Sequence, residues 1–378
     1  MKITPFRGAG EIGGNKFLLE TANTKVFLDF GEPFDRYERF YRGISYLDKP
    51  RKFMGLRDYF EMEMAPKIPG MYSSAALKHT DLAYTAPAYD AVFISHLHGD
   101  HFGDVQWLDD KIPVYMGHGA KLLNDAYNEC YVQFKSPDNG NVITFKTGDC
   151  IKIKDIEVIP VHVDHSTSGA YGFIIKTPEG NIAYTGDYRF HGFRPDMTED
   201  FMKKAAETGI KLLMTEGTRL KGEDVAINQK RKLTEPQVEE ELYNSLMASK
   251  GITVITFSPR NIDRARSLYN AAVKAGKVLV TSPRMAYIID KSQPLISGMP
   301  QIQGNRNIVI FKKDGDKEPV YNRDGSERSD KTYAYEKPYL ADQKDSKWVR
   351  SNMADVVFFI QEHEIAQLID IKPKSGKF

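Results

Sequence analysis

Short apolar runs alternate with polar turn signals through the first half of the chain, which is the pattern of a β-rich domain. The runs FLLE and VFLDF flank the polar tip TANTK and predict a β-hairpin with its turn near Asn23. AVFISH (91–96) predicts a buried strand that leads into a His-rich turn, and IPVYMG (112–117) predicts another strand before a helix. Four further β-rich runs between residues 141 and 187 are separated by turn signals such as TPEGN. The chain therefore opens with two blocks of predicted sheet.

The segment 32–89 interrupts this β-rich region with aromatic and charged residues. It has helical spacing around Leu56 to Met64 and Pro/Gly punctuation in KIPGMY, and we interpret it as an insertion. Its aromatic side chains either pack the insertion onto the sheets or stack on bases at the mouth of a channel. The residues concerned are Tyr37, Phe40, Tyr41 and Phe53.

Strands and helices alternate in the second half of the chain. KLLMTEG (211–217) predicts a strand, residues 234–251 have the apolar spacing, acidic start and terminal Gly of a helix, and ITVITF predicts the next strand. A further helix and the strand KVLVTS follow, and this alternation is typical of an α/β unit with a parallel sheet. The composition shifts near Thr218, so we divide the chain into a first domain of residues 1–217 and an α/β domain of residues 218–378.

The composition of the 378 residues is that of a globular protein, with 41% hydrophobic and 27% charged residues. The 52 Lys and Arg nearly cancel the 51 Asp and Glu, and the net charge of +1 argues against a basic surface over the whole molecule. Cys130 and Cys150 are too few for a disulfide framework, and the first residues do not resemble a signal peptide. Since no segment approaches the roughly 18 apolar residues of a membrane span, we expect a cytoplasmic protein without a membrane partner.

The reactive side chains are concentrated in SHLHGDHFGD (95–104), where three of the nine histidines lie within six positions. Because this turn follows a buried strand, His96 and His98 can face one metal ion while Asp100 and His101 face a second. Imidazole and carboxylate groups are good Zn²⁺ ligands, and they are also compatible with Mn²⁺ or Fe²⁺. The alternative is a polar surface turn without a metal.

A dinuclear site needs further ligands from elsewhere in the chain, preferably a carboxylate that bridges the two ions. His165 and Asp187 each follow an apolar run, where the edge of a sheet delivers side chains into a shared crevice. His162 lies only three residues before His165 and competes with it as a ligand. We prefer His165 because of its place after the predicted strand.

In this order, H-x-H-x-D-H, DHSTSGAYGF and YTGDYRFHG resemble the motifs of the metallo-β-lactamase superfamily. The opening GAGEIGGNKFLLE with TKVFLDFG is similar, more specifically, to the ribonuclease J branch, and Asp29 matches the first acidic position of that family. The resemblance to the superfamily covers residues 1–217. It implies an αββα sandwich, with two sheets between outer helices, and two Zn²⁺ ions per chain.

The second domain resembles that of the β-CASP nucleases. LLMTEGTRL (212–220) is similar to their acidic motif A, with Glu216 as its acid and Thr218 as its hydroxyl partner; the alternative is an ordinary turn with an incidental Glu. FSPRNIDR (257–264) is similar to a ribonuclease J segment that begins a helix, where Arg260 and free backbone N–H groups would receive a phosphate. A solvated helix start explains this segment equally well.

The resemblance implies a metal-dependent phosphodiester hydrolase, a nuclease that acts on RNA or single-stranded nucleic acid and commonly forms homodimers. Two metal ions suit this reaction because they activate water and stabilise charge on the attacking and leaving oxygens. Asp100 and Glu216 are the expected catalytic residues, with Asp100 orienting the nucleophilic hydroxide. Ser166, Ser168 or Arg260 would bind the phosphate.

One departure from the family concerns its C-terminal histidines. Members carry a further His in an S-G-H context that completes the second metal site, and another histidine that protonates the leaving group. The last histidine here is His363 within QEHEI, which does not resemble S-G-H. The chain stops at KPKSGKF, so we expect a truncated product that lacks the last ligand and holds the second metal weakly.

Two other functions fit the same residues. A small-molecule metallo-hydrolase would cleave a thioester or lactone at the same metals, because the ligand set does not determine the substrate, although the second α/β domain argues against it. A non-catalytic, metal-bearing scaffold would bind RNA or protein without turnover. The near-neutral net charge of the chain argues against a scaffold that binds RNA. Several basic residues after Glu216 either line a groove or form a solvated face. They are Arg219, Lys221, Lys230, Arg231 and Lys232.

Overall fold

The structure is a computed structural model that describes residues 1–34, 52–131, 139–218, 233–315, 326–327, 330 and 332–372, with the backbone alone at 362 and 363. The chain falls into two compact units, Met1–Asn124 with Phe134–Lys232, and Asp125–Gln133 with Leu233–Phe378. The domain boundary at 217/218 stays a prediction, because residues 219–232 lie outside the described part. Several residues that were given a role in the sequence analysis also lie outside the part of the chain, or outside the side chains, that the structure describes. They are Tyr37, Phe40, Tyr41, Arg219, Lys221, Lys230, Arg231, Lys232 and the side chain of His363.

The first unit contains a six-stranded sheet with the order β1-β2-β3-β4-β5-β6. Its strands are β1 (Lys2–Arg7), β2 (Lys16–Glu20), β3 (Lys25–Leu28), β4 (Ala91–Ile94), β5 (Val114–Gly117) and β6 (Val142–Phe145). The predicted hairpin is confirmed, since β2 and β3 pair antiparallel with Phe17 opposite Leu28. Strands β3 to β6 are parallel neighbours. All four residues of β4 are buried, so this central strand is covered on both faces.

A five-stranded sheet with the order β11-β10-β9-β8-β7 completes the first unit. Its strands are β7 (Ile151–Ile153), β8 (Ile156–His162), β9 (Tyr171–Lys176), β10 (Asn181–Tyr184) and β11 (Ile210–Met214). The two sheets share one apolar core, in which the rings of Phe93 and Phe173 have their centroids 5.8 Å apart. Phe201, on a helix of residues 195–208, packs with Ile174 and Ala183 of this sheet in a separate cluster. This layering confirms the αββα sandwich.

Among the described residues of the first part of the chain, five α-helices connect these strands. They are α1 (Arg57–Glu61), α2 (Ser74–Leu77), α3 (Gly99–Phe102), α4 (His118–Cys130) and α5 (Pro195–Thr208). Helix α5 lies outside the predicted elements; it begins with Pro195 and is followed by Gly209 in the left-handed conformation. In segment 52–89, Phe60 and Tyr72 are buried against each other, with ring centroids 5.6 Å apart, whereas Phe53 is 70% exposed. Phe53 therefore does not pack the segment onto the sheets.

The second unit is built on a parallel sheet with the order β12-β16-β13-β14-β15, which confirms the predicted α/β unit. Its strands are β12 (Thr253–Ile255), β13 (Val278–Thr281), β14 (Ile308–Phe311), β15 (Gln343–Lys344) and β16 (Val356–Phe359). Its helices are α6 (Glu235–Ala248), α7 (Ile262–Lys274), α8 (Pro283–Ser292), α9 (Ser346–Ser351) and α10 (Leu368–Ile371). A capping box of Thr234 and Gln237 begins α6. Across the described ranges, every helix is too short or too polar to cross a bilayer.

Candidate metal centre

The H-x-H-x-D-H segment turns directly from the buried end of β4 into the short helix α3. His96 lies two residues after β4 and is fully buried, while His98 is the residue that caps the start of α3. Asp100 and His101 follow within the single turn of that helix and are also buried. The strand end and the helix therefore aim four potential ligands into the first unit from six consecutive positions.

Helix α3 is held by backbone hydrogen bonds from two neighbouring loops. Asn15 N donates to the Asp100 carbonyl at 2.9 Å, and Phe30 N donates to the His101 carbonyl at 2.7 Å. The loops approach so closely that a Cβ atom added at Gly31 would lie 1.7 Å from the Asp100 carbonyl oxygen. Gly31 is therefore required by the backbone contact that fixes the helix.

Four side chains form a first donor set, in which one ligand atom from each lies within 4.8 Å of the others. They are His96, His98, His165 and Asp187. His98 Nδ1 lies 3.0 Å from both His96 Nε2 and His165 Nε2. The nearer carboxylate oxygen of Asp187 lies 3.9 Å from His96 Nε2 and 3.8 Å from His165 Nε2.

A second donor set comprises Asp100, His101 and the same Asp187. His101 Nε2 lies 3.4 Å from an Asp100 oxygen and 3.3 Å from the other oxygen of Asp187. Asp187 therefore offers one carboxylate oxygen to each set. This is the placement expected of a carboxylate that bridges two ions.

The outward-facing nitrogens of three histidines are held by oxygen atoms. The Nδ1 atom of His96 is 3.0 Å from Ser95 Oγ, and the Nε2 atom of His98 is 3.3 Å from Ser166 Oγ. The Nδ1 atom of His101 is 2.6 Å from a carboxylate oxygen of Asp29. When these nitrogens donate to the oxygens, the opposite nitrogen of each ring presents its lone pair to the donor sets.

The electrostatics of the centre favour added positive charge. Burial lowers the pKa of His101, but the carboxylates of Asp29, Asp100 and Asp187 outweigh it and raise that pKa well above its usual range. Burial raises the pKa of Asp187, but the hydrogen bond and charge of His101 and the charges of the other histidines hold it below its usual value. The carboxylate of Asp187 is therefore ionised at neutral pH and can accommodate a cation.

Burial, with the neighbouring charge of His98, lowers the pKa of His165 to about 3, so its imidazole is neutral at pH 7. Neutral imidazole is the form that binds a metal ion.

The donor set fits a zinc-sized ion. His98 Nδ1 carries either one proton or one lone pair, so an ordinary hydrogen bond satisfies at most one of its two nitrogen neighbours at 3.0 Å. Nitrogen ligands bound tetrahedrally at about 2.0–2.1 Å lie roughly 3.3 Å from each other. Three converging imidazole nitrogens with one carboxylate are therefore better explained by a shared cation than by hydrogen bonds among themselves.

The structure separates the two histidines that compete for the centre. His165 belongs to the first donor set, whereas the ring of His162 stacks on Tyr171 with 4.2 Å between ring centroids. Ser166 contacts His98 through its hydroxyl, and Ser168 is half-buried in the same turn. The phosphate roles of both serines stay predictions.

Glu216 lies beside the turn that carries Asp187. Its carboxylate accepts a hydrogen bond from the backbone N–H of Tyr188 at 3.4 Å and another from the Thr218 hydroxyl at 2.6 Å. Among the described residues, the two donor sets do not include Glu216. Its position near the centre suits a group that acts beside the metal ligands, and its catalytic role stays a prediction.

Arg260 belongs to the second unit, where its guanidinium lies over the ring of Tyr127 at 5.4 Å. The following helix α7 is capped by Asn261, whose side chain accepts from the backbone N–H of Arg264. One of the N–H groups expected to receive a phosphate is therefore already bonded. The phosphate role of Arg260 stays a prediction.

Several residues that support the centre lie outside those predicted from sequence. Tyr184 donates to Asp29 through its hydroxyl at 2.5 Å, and Ser95 donates to the same carboxylate through both its N–H and its hydroxyl. Lys16 is fully buried and pairs with Asp104 at 2.8 Å next to α3. Ser95 and Asp104 flank the histidine motif, and this position in the sequence could have identified them as supporting residues. Lys16 and Tyr184 have no comparable position next to the motif.

The chain is similar to known proteins in sequence and in fold. A sequence profile described as a beta-lactamase superfamily domain matches residues 68–233. Ribonuclease J of Sinorhizobium meliloti is 27% identical over 234 residues, which are 60% of this chain and 39% of the relative. Ribonuclease J 2 of Staphylococcus aureus is 22% identical over 284 residues, 73% of this chain and 44% of the relative. The chain thus spans less than half the length of these relatives.

A solved structure shares the fold over most of the chain. It is a protein of unknown function from Enterococcus faecalis V583, with a TM-score of 0.68 and 20% sequence identity. The match covers 95% of this chain and 76% of that one. The similarity therefore extends beyond the residues that the beta-lactamase profile matches.

Proposed function

We propose that this chain is a ribonuclease J-like metallo-hydrolase of the metallo-β-lactamase superfamily, and that it cleaves phosphodiester bonds of RNA at a dinuclear metal centre. The observation that carries the proposal is Asp187, which places one carboxylate oxygen in each of two donor sets. A carboxylate that faces both donor sets would let two ions be held side by side, as two-metal hydrolysis requires.

Each donor set would hold one Zn²⁺, with Mn²⁺ as the alternative ion. The first ion would have His96, His98, His165 and Asp187 as ligands, and the second would have Asp100, His101 and Asp187. Bound there, the two ions would supply an activated water and positive charge for the oxygens of the phosphodiester.

The protein side chains have distinct tasks in this proposal. Asp29 fixes the tautomer and orientation of His101 by accepting from its Nδ1. Asp100 orients the attacking water through its carboxylate, and Glu216, held by Thr218, exchanges a proton beside Asp187. Ser166 binds a phosphate oxygen with its hydroxyl next to His98. In the proposal, Ser168 and Arg260 are further residues that bind the phosphate of the substrate.

The proposed substrate, cellular location and assembly follow from the resemblance to ribonuclease J. The names of the relatives favour RNA over DNA as the nucleic acid. A cytoplasmic location and a homodimeric assembly belong to the same proposal. With a net charge of +1, binding to RNA must come from local groups of cationic side chains.

The first test is the metal content of the purified chain, measured by elemental analysis together with three variants. We expect about two ions per wild-type chain. His96→Ala removes a ligand of the first set and Asp187→Ala removes the bridge, so we expect fewer ions in His96→Ala and the largest loss in Asp187→Ala. His79→Ala is the matched control, because His79 is exposed and lies outside both sets.

The second test compares substrates. The metal-loaded chain is incubated with a single-stranded RNA, a DNA of the same sequence, a thioester and a lactone. Cleavage of RNA that is lost in Asp187→Ala supports the proposal. Turnover of the thioester or lactone alone would instead identify a small-molecule hydrolase, and metal binding without any turnover would identify a scaffold.

A further inference from the structure

A buried ion pair joins the two loops that carry His165 and Asp187. Asp164 directly precedes His165, and Arg189 lies two residues after Asp187. Arg189 Nε lies 3.0 Å from an Asp164 carboxylate oxygen, and the two side chains are 6% and 4% exposed. We infer that the Asp164–Arg189 pair is a positioning device that sets the spacing of His165 and Asp187 in the metal centre. The inference rests on the proposed metal centre.

The backbone reinforces the connection between the two loops. Arg189 N donates to the Asp164 carbonyl at 2.7 Å. The second carboxylate oxygen of Asp164 accepts from Arg194 N at 3.1 Å. Thr198 bridges the same two residues, because its hydroxyl accepts from Asp164 N at 3.0 Å and donates to the Arg189 carbonyl at 3.1 Å. The loops are therefore tied by the backbone as well as by the side chains.

The packing leaves little room for a different arrangement. A Cβ atom added at Gly192 would lie 2.0 Å from an Asp164 carboxylate oxygen and 2.4 Å from Arg189 Nε. The loop after Asp187 thus folds directly over the pair. Because both members are nine-tenths buried and their carboxylate has two donors, movement of either loop would leave a buried charge poorly compensated.

The pair acts on the centre without belonging to it. Among the described residues, the donor sets include neither Asp164 nor Arg189. Yet each is one or two residues from a ligand of the first set. Partners that orient metal ligands typically contribute 10–100-fold to metal affinity, and this is the effect expected of the pair.

The test measures Zn²⁺ affinity of the full chain by competition with a chromophoric chelator. Asp164→Asn keeps the side-chain shape but removes the charge and one of the two acceptors. Arg189→Met removes the cation while keeping an apolar stem. We expect each variant to bind Zn²⁺ roughly 10–100-fold more weakly, and Arg189→Lys to show a smaller loss. The visible spectrum of bound Co²⁺ should shift in the same variants, because it reports the ligand geometry.

Glu235 and Arg264 provide a matched control in the second unit. They form a two-point ion pair at 3.0 and 2.8 Å, and the Glu235 side chain is 4% exposed. Glu235→Gln should lower the melting temperature as Asp164→Asn does, but should leave the Zn²⁺ affinity and the Co²⁺ spectrum unchanged. Gly192→Ala offers a second way to displace Asp164 and should weaken Zn²⁺ binding without removing either charge.

The outcomes separate this inference from the proposed function. If the wild type binds no metal, the metal centre itself is wrong and the inference fails with it. If the wild type binds Zn²⁺ and the Asp164 and Arg189 variants are less stable but bind it equally well, the pair is structural only. Weaker binding with a shifted Co²⁺ spectrum, absent in Glu235→Gln, supports the inference.

Discussion

His101 donates a hydrogen bond through Nδ1 to the carboxylate of Asp29, with 2.6 Å between the two atoms. Asp29 is fully buried directly after β3, and its backbone has the unusual φ of 59°. The same carboxylate accepts from Ser95 and Tyr184. A buried carboxylate with this many donors is a rigid support, so it fixes both the tautomer and the direction of the His101 ring.

Replacing Asp29 should weaken metal binding at the second donor set. We expect Asp29→Asn to reduce Zn²⁺ affinity at Asp100, His101 and Asp187 roughly 10–100-fold, because an amide cannot accept from every donor around Asp29. Chelator competition measures the change. Asp155→Asn is the control, since Asp155 also accepts several side-chain hydrogen bonds but lies at the Thr21–Thr24 turn. Equal Zn²⁺ affinity in wild type and Asp29→Asn would contradict the assigned role.

The catalytic assignment of Glu216 predicts a variant that binds metal but turns over slowly. Glu216→Gln keeps the shape of the side chain and removes its ability to take a proton. We expect the metal content to stay at the wild-type level and kcat on RNA to fall roughly 10²–10⁴-fold. Glu207→Gln, on the exposed surface of α5, should leave both quantities unchanged. A wild-type kcat in Glu216→Gln would remove Glu216 from the mechanism.

The contact between Gly31 and α3 predicts a strong effect of one added methyl group. In Gly31→Ala the new Cβ would overlap the Asp100 carbonyl, so the loop and the helix must separate. We expect a loss of about 3 kcal/mol or more in the free energy of unfolding, measured by urea denaturation. Gly251→Ala is the control, because a Cβ there meets nothing within 4 Å. Similar stability of the two variants would argue against the close approach.

The buried pair of Lys16 and Asp104 predicts non-additive effects on stability. Lys16→Met leaves the Asp104 carboxylate buried without its cation and should cost about 3–5 kcal/mol. The double variant with Asp104→Leu removes both charges and should recover much of that loss. Urea denaturation of both single variants and the double variant measures the coupling. Strictly additive losses would show that the two charges do not interact.

The half-buried ring of His162 predicts an acid sensitivity of folding stability that does not depend on the residues of the donor sets. Burial, with a contribution from the charge of Arg194, lowers the pKa of His162 to about 4. In the unfolded chain the pKa is about 6.5, so between these values the unfolded state binds more protons than the folded state. The contribution of His162 to the free energy of unfolding is therefore complete above about pH 6.5. It falls by roughly 3 kcal/mol as the pH is lowered towards 4.

The variant His162→Phe isolates this contribution, because Phe can stack on Tyr171 but does not titrate. Unfolding free energies are measured with a chelator present at about pH 7 and about pH 4.5. The wild type should lose more stability than the variant over this interval. Equal losses would show that His162 is charged in the folded protein or does not contribute.

The sequence alone was sufficient for features that depend on neighbouring residues. The β2–β3 hairpin, the buried strand β4 and the helix α6 were all predictable, because apolar periodicity and turn residues act over a few positions. The segment His96 to His101 predicts a metal site for the same reason. Helix α5 was not predicted, although it has Pro at its start and Gly after its end.

The tertiary structure decided which distant residues meet. His98 and His165 are 67 positions apart in sequence, and Asp29 and His101 are 72 positions apart, yet each pair is in contact. Such contacts depend on how the two sheets pack and on which side of a strand end each residue emerges, and a shift of one residue would point His165 away from the centre. The sequence already favoured His165 over His162, but the position of Asp187 between the two donor sets and the Asp164–Arg189 pair became visible only in the folded chain.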